Sequence, residues 1–396
     1  MRLTRPRPRR LLWLLAALAL GLALVWGVLV ALTPRSLLAR VLVWRDADVG
    51  DVWRFPARVV ENAPPAFSFR RAPPGNPVEA RVEGFRVGDE PFPAFLARTR
   101  TAAFLVVRDG TLEYERYFNG YGHDSTVTSF SVAKSFLSAL VGAAIEAGRI
   151  GSVDDPVTRY LPELGARDPH LSRVTLRDLL TMSSGLRYAS SPNPLADDDT
   201  RTYYAPDLRA LALSAQVRDA PGHFQYNNYH PLLLGLVLER VTGQHVADYL
   251  SEKLWRPLGM EAPGSWSLDS RGSGFEKLES GLNGRAIDFA KFGQLYLDGG
   301  RWRGRQLLPR EWVEASTRPQ VTTGQANGPA YGYFWWVSPQ PGGGRHFSAR
   351  GNKGQFLYVV PEARLLMVRF GEEYGTREWP EVFERLAAYL MQGETR

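Results

Sequence analysis

Ser131 and Lys134 stand three residues apart in "SVAK", and the almost wholly apolar "SFLSALVGAAIEAG" follows. On a helix that spacing puts both side chains on one face. A lysine in the first turn of a helix that reads as core opposes two rules at once. The helix N-terminus carries partial positive charge, and an ammonium group is costly to bury. Both effects favour the neutral amine, which can take the proton of a serine hydroxyl. The Ser131 backbone N–H, at the helix start, suits a developing oxyanion. The competing reading is an N-cap serine followed by a snorkelling surface lysine, and S-x-x-K alone is a weak signal.

Two further stretches carry chemistry of the same kind. In "PGHFQYNNYHPLLLGLVLERVTG" the sequence predicts a helix opened by Pro231 at its first position and ended by Gly243. Tyr226 and Asn228 precede it, two apart, so extended backbone points both to one side. A tyrosine beside a cationic lysine ionises more easily and can serve as general base or acid. Asn228 is a candidate to hold the lysine and a substrate carbonyl. Against this stands a capping asparagine with a packed tyrosine. In "FSARGNKGQFLYVV", Gly351 and Gly354 lie along or beside a strand, where glycine permits close backbone approach to a ligand. The Asn352 N–H is then a candidate second oxyanion donor, and a bulge or turn at a sheet edge is the alternative.

The surrounding pattern supplies elements to position these residues. "AAFLVVRDGTLEYERYF" reads as a β-hairpin turning at Asp109-Gly110. "RHFSARG", "GQFLYVVPE" and "ARLLMVRFG" read as three tightly joined strands, and "WPEVFERLAAYLMQ" as a closing amphipathic helix. Strands at both ends with helices between predict one antiparallel sheet with a helical subdomain inserted between its halves. Tyr188, Trp335 and Trp336 are candidates for an acyl pocket, although large aromatics are more often core. Upstream, residues 34–59 read as a membrane-proximal segment, and "NAPPAFSFRRAPPGNP" as a linker or surface strap.

Taken together these stretches resemble the serine β-lactamase-like superfamily, which includes class C β-lactamases, D-alanyl-D-alanine peptidases, serine esterases and nylon-oligomer (aminohexanoate-dimer) hydrolases. "DDPVTRYLPEL", "TLRDLLTMSSGL", "PLGM", "SGLNGRAIDFAKFGQLYLDGG" and "YGYFWWV" extend the likeness over roughly residues 85–395. The resemblance implies an α/β (α+β) fold, its antiparallel sheet flanked by helices and its cleft facing an all-helical subdomain. It implies Ser131 as nucleophile, Lys134 as its activator, and Tyr226 with Asn228 as the second element. One departure stands out. Where β-lactamases and D-alanyl-D-alanine peptidases usually carry K-T-G or H-x-G, this chain has Ala349-Arg350-Gly351. Arg350 is the candidate replacement for the missing cation, although a strand turns it away from its neighbours. The stretch looks more like the esterase and nylon-oligomer-hydrolase branch.

Composition narrows the class. The chain of 396 residues has no cysteine, so thiol nucleophiles and disulfides are excluded. Its six histidines form no short metal-ligand spacing, and neither metal nor cofactor is expected. Of the formal charge of +7, five charges are arginines before residue 11, and the small remainder argues against nucleic acid as a partner. Only five of the 48 basic residues are lysines. Leu11 to Leu32 is an uncharged run long enough to cross a bilayer, and the arginines before it predict a cytoplasmic N-terminus.

The expected organisation is therefore a basic end and transmembrane anchor (1–34), a membrane-proximal segment with a Pro-rich linker (35–84), and an extracytoplasmic serine hydrolase domain (85–396). The chain would sit in the plasma (inner) membrane, anchored through residues 11–32. A cleaved signal and a secreted or periplasmic protein is the alternative. The expected reaction is cleavage of an ester or small amide, from a small molecule or short peptide, through an acyl-Ser131 intermediate. No G-x-S-x-G elbow is present. The alternatives are a D-alanyl-D-alanine peptidase or β-lactamase, and a catalytically silent module that binds cell-wall fragments.

Overall fold

The computed structural model describes residues 8–325, 328–340 and 344–392. The first seven residues, with three of the arginines behind the expected orientation, lie outside them. Helix α1 (Pro8–Leu32) contains a stretch, Leu12–Leu32, long and apolar enough to cross a membrane, none of it buried against the rest of the chain. A short helix, α2 (Leu37–Trp44), follows and is capped by the Ser36 side chain.

A nine-stranded sheet carries the body. Its strands are β1 (Arg70–Arg71), β2 (Thr101–Arg108), β3 (Thr111–Tyr117), β4 (Val321–Thr322), β5 (Ala330–Tyr331), β6 (Trp336–Pro339), β7 (Arg345–Gly351), β8 (Gln355–Val360) and β9 (Leu365–Gly371). They lie in the order β4-β5-β6-β7-β8-β9-β2-β3-β1. Neighbours run antiparallel except β1, which pairs parallel with β3. The β2–β3 hairpin turns at Asp109 and Gly110, both with positive φ (46° and 68°), the primed geometry that matches strand twist. The three strands expected at the end of the chain are β7, β8 and β9.

Alternation along the strands builds two cores. In β2, Ala103, Leu105 and Val107 face one hydrophobic cluster while Phe104 and Val106 face the other. The first cluster is filled by the helices of the central region: α3 (Ala133–Glu146), α5 (Tyr229–Thr242) and α6 (Ala286–Leu297), with α4 (Asp198–Tyr204) beside them. The second is closed by α7 (Trp379–Met391) and a helix at Pro77–Gly84. The residues between β3 and β4 hold most of the helices but also supply strands of a second sheet, so the insertion is not the all-helical subdomain expected.

A second sheet of four short antiparallel strands, Ala57–Val60, Gly264–Ser267, Leu282–Gly284 and Val127–Thr128, leads directly into the "SVAK" turn. Its first strand comes from the end of the segment expected to lie near a membrane. The Pro-rich stretch runs over the surface, with the Phe67 N–H donating to the Gly259 carbonyl (2.8 Å) and Phe69 buried.

Helix α5 differs from expectation in its start. It begins at Tyr229, so Pro231 is its third residue, where the missing N–H is still one of the unpaired first four. Gly243 ends it in the left-handed region (φ 69°), as expected.

Candidate active site

The turn that presents Ser131 is fixed from both sides. Val127 and Thr128 pair with Gly284 and Asn283, and the Ser129 N–H donates to the Leu282 carbonyl at 2.9 Å. Phe130, buried, then takes φ 48°, a left-handed conformation that costs an aromatic residue on the order of 1–2 kcal/mol. Packing around its ring holds that strain, and the reversal places Ser131 in a single 3-10 turn before α3. From Ala133 to Ala144 every residue of α3 is buried.

Lys134 therefore has no route to solvent; it is 1% exposed. Its Nζ lies 2.8 Å from Ser131 Oγ and donates to the Glu279 carbonyl at 2.6 Å. Burial pulls its pKa down from 10.5 to about 7, against the opposing pull of the Glu279 and Asp199 carboxylates. The neutral amine is thus well populated near neutral pH.

The Tyr226 ring lies 5.0 Å from that Nζ. Burial drives its phenol pKa well up, and the Asp199 and Glu279 charges add to the rise; the hydrogen bond with Ser131 opposes it. This corrects the expectation that Tyr226 ionises easily. Its neighbour is an amine charged in only about half of the molecules at pH 7, not a fixed cation, and the phenol stays protonated.

Asn228 also differs. Its backbone is helical (φ −77°, ψ −8°), not extended. Its amide donates to Tyr188 Oη (3.0 Å) and Asp199 Oδ1 (3.3 Å), and it forms no bond to Lys134. Its Oδ1 is buried without a partner, an acceptor still available to a ligand.

Gly351 ends β7 against the turn that carries Ser131. A Cβ there would press into the Ser129 carbonyl oxygen and come within 3.2 Å of the Ser131 nitrogen. Asn352 follows in the turn to β8. Neither the Ser131 nor the Asn352 N–H has a backbone acceptor among the described residues. Two unpaired donors on facing segments are what an oxyanion requires.

Ala349 is buried in the first core, and Arg350 turns to the other face, as alternation demands. The guanidinium donates to Ser348 Oγ (2.9 Å) and lies 5.1 Å from the Trp336 ring centre. It forms no ion pair among the described residues, and burial lowers its pKa to about 10, which leaves it cationic. All of these site residues except Lys134 and Ala349 line one cavity of about 1000 Å³. Of the three candidate pocket aromatics only Trp336 lines it; Trp335 is core, and Tyr188 is a buried partner of Asp199 and Asn228.

The Beta-lactamase family model matches residues 90–388. This chain belongs to that family. It is 29% identical over 360 residues to the 6-aminohexanoate-dimer hydrolase of Paenarthrobacter ureafaciens, covering 85% of this chain and 89% of the relative. A structure from Bacillus anthracis, provisionally assigned as a 6-aminohexanoate-dimer hydrolase, superposes with TM-score 0.73 at 26% identity over 84% of this chain and 90% of its own. A class C β-lactamase shares the fold at TM-score 0.59 and 14% identity, over 81% and 97% of the two chains. The chain's relatives in the family are hydrolases, and the β-lactamase-like α/β fold is theirs.

Sequence reasoning missed the layer behind Lys134. Glu279 accepts from Lys277 Nζ (3.0 Å) and Ser280 Oγ (2.7 Å), both partners buried. Lys277 in turn donates to the Tyr203 carbonyl, and burial lowers its pKa. The scarcity of lysine was the available signal, since Lys277 is another of the five. Glu239, His245 and Glu276 come within 4.8 Å of one another, a possible metal arrangement. Arg209 and Arg58 already pair with the two carboxylates, and none of the three lines the cavity.

Proposed function

We propose that the chain is a membrane-anchored, extracytoplasmic serine hydrolase that cleaves an ester or small amide through an acyl-Ser131 intermediate. The observation that carries this reading is the Lys134–Ser131 contact at 2.8 Å, with the lysine buried and its pKa near 7. Lys134 takes the Ser131 proton as Oγ bonds to the acyl carbon. The carbonyl oxygen, becoming an oxyanion, accepts from the Ser131 and Asn352 N–H groups. Tyr226, a protonated phenol within reach of Ser131, passes a proton to the leaving oxygen or nitrogen and recovers one from Lys134. Water then attacks the acyl carbon as the amine takes its proton, and the bond from that carbon to Ser131 Oγ breaks as Lys134 returns the proton to Oγ. The relatives named for an amide substrate support the amide arm of this reading.

Helix α1 would be the uncleaved anchor, with residues beyond 34 outside the cytoplasm; its length and its lack of buried residues support this. The test is labelling of the full chain in detergent with a fluorophosphonate, mapped by mass. Adduct on Ser131, lost in Ser131→Ala and Lys134→Ala, is the expected result. No adduct on folded protein would leave only a binding role for the cleft.

A second reading, a D-alanyl-D-alanine peptidase or β-lactamase, draws on one observation. Arg350 is an unpaired cation on the cavity wall, as a substrate carboxylate requires. It predicts acylation of Ser131 by benzylpenicillin, weakened at least about tenfold in Arg350→Met.

A further inference from the structure

The cavity has a wall that precedes the family-matched residues 90–388 altogether. Val41 from α2, with Arg45, Asp46 and Ala47 just beyond it, lines the same cavity as Ser131 and Tyr226. These residues are not a loose tether. Trp44 packs edge-on against Phe55, and Tyr204 Oη donates to the Arg45 carbonyl at 2.7 Å. Behind them Tyr203 Oη donates to Asp51 (2.5 Å), and Phe55 and Tyr203 cover the Lys277 ammonium at 4.6 and 3.9 Å.

One buried side chain locks this wall to the apolar helix. Arg40, 1% exposed, donates to the Thr33 carbonyl (2.8 Å) and the Pro34 carbonyl (3.0 Å) at the end of α1. The same guanidinium donates to the carbonyls of Tyr204 (3.0 Å) and Ala205 (3.3 Å) at the end of α4, whose Tyr203 and Tyr204 also line the cavity. Four carbonyls on one cation hold the exit of the apolar helix at a fixed place beside the cleft. Its charge survives burial, with a pKa lowered only to about 10.

The stretch of chain that carries this staple exposes large apolar side chains more than the rest of the described residues do outside α1. Outside α1, the large apolar side chains exposed among the described residues are Leu38, Leu42, Trp53, Val59, Leu195 and Tyr374. Four of them fall in the stretch that follows the anchor. Tyr374 lines the cavity, and Leu195 follows Pro194, which also does. Trp53 is 80% exposed, an exposure that suits a headgroup layer better than water.

We propose that the acyl substrate is an amphiphile resident in the bilayer, presented to Ser131 along the α1–α2 side of the cleft. This rests on the anchored-hydrolase reading and names its substrate class. The tail stays in the membrane while the acyl carbonyl reaches the oxyanion donors, and the rigid staple fixes the height of the cleft above the bilayer. An anchored enzyme for soluble esters needs no such wall; a flexible tether would serve it as well.

The test uses the full chain in phosphatidylcholine vesicles with two esters of one leaving group, soluble p-nitrophenyl butyrate and bilayer-held p-nitrophenyl palmitate. At fixed bulk concentration, the wild-type palmitate rate should follow its mole fraction in the bilayer. Inserting about ten Gly-Ser residues between Pro34 and Arg35 should cut palmitate turnover about tenfold or more and leave butyrate turnover unchanged. A palmitate rate that ignores mole fraction, or an insertion that leaves palmitate turnover intact, would overturn the proposal. Butyrate turnover with no palmitate turnover by the wild type would overturn it too, while sparing the hydrolase reading. Failure of fluorophosphonate labelling at Ser131 would instead sink that reading, and this proposal with it.

Discussion

The pH dependence of Ser131 acylation follows from the burial of Lys134. Its ordinary pKa of 10.5 falls to about 7 because the ammonium form is desolvated. That fall corresponds to about 5 kcal/mol of preference for the amine inside the protein. At pH 7 about half of the molecules carry the base in its active form, against roughly one in 3000 for an unperturbed lysine. The rate of fluorophosphonate inactivation should therefore climb about tenfold per pH unit below pH 6, bend near pH 7 and run flat above pH 8. The measurement is inactivation rate against pH from 5 to 9.5, with intrinsic fluorescence to confirm folding at each point. A rate still climbing tenfold per unit through pH 9 would mean that Lys134 keeps an ordinary pKa, and the activation argument would be wrong.

Three further outcomes follow from the same geometry. Lys134→Met should be inactive but more stable. With the folded pKa depressed, the burial cost is complete below pH 7 and fades as pH rises towards 10.5. After about 2 kcal/mol for the two lost hydrogen bonds, the gain at pH 6 should be about 3 kcal/mol, vanishing near pH 9 in thermal unfolding. Tyr226→Phe should lower kcat by about a hundredfold while leaving the bend near pH 7 in place, because the phenol is protonated throughout. A bend that moved would make the tyrosinate the base. Gly351→Ala should cost about 1–3 kcal/mol in thermal unfolding and much more in labelling, since its methyl group presses on the turn that carries Ser131.

Local features were legible and long-range ones were not. Asp109-Gly110 identified the hairpin because only a primed turn suits that pair, and the apolar run after Lys134 identified a buried helix. The protonated state of Tyr226 was out of reach, because it is set by burial and by Asp199 and Glu279, residues distant in sequence. The acceptor that fixes Lys134 is the backbone carbonyl of Glu279, a group that every residue has and no motif announces. That residues 41–47 form a cavity wall was out of reach of the sequence, because their neighbours there, Tyr203 and Tyr204, lie about 160 residues further on.

The choice of lysine over arginine at position 134 has a physical reason that the buried arginines make visible. Arg40 and Arg369 are buried as Lys134 is, Arg350 is half-buried on the cavity wall, and their pKa values fall only to about 10, 9 and 10. They remain cations and serve as staples, collecting carbonyls and hydroxyls. The same burial brings Lys134 to about 7, where a proton can be exchanged at neutral pH. Of the five lysines, Lys134 is the one in contact with Ser131, at a place where its charge can leave near neutral pH. Lys134→Arg, which keeps the charge and forfeits the titration, is therefore expected to abolish labelling as fully as Lys134→Ala; a labelled arginine variant would mean that the cation, not the base, is what Ser131 needs.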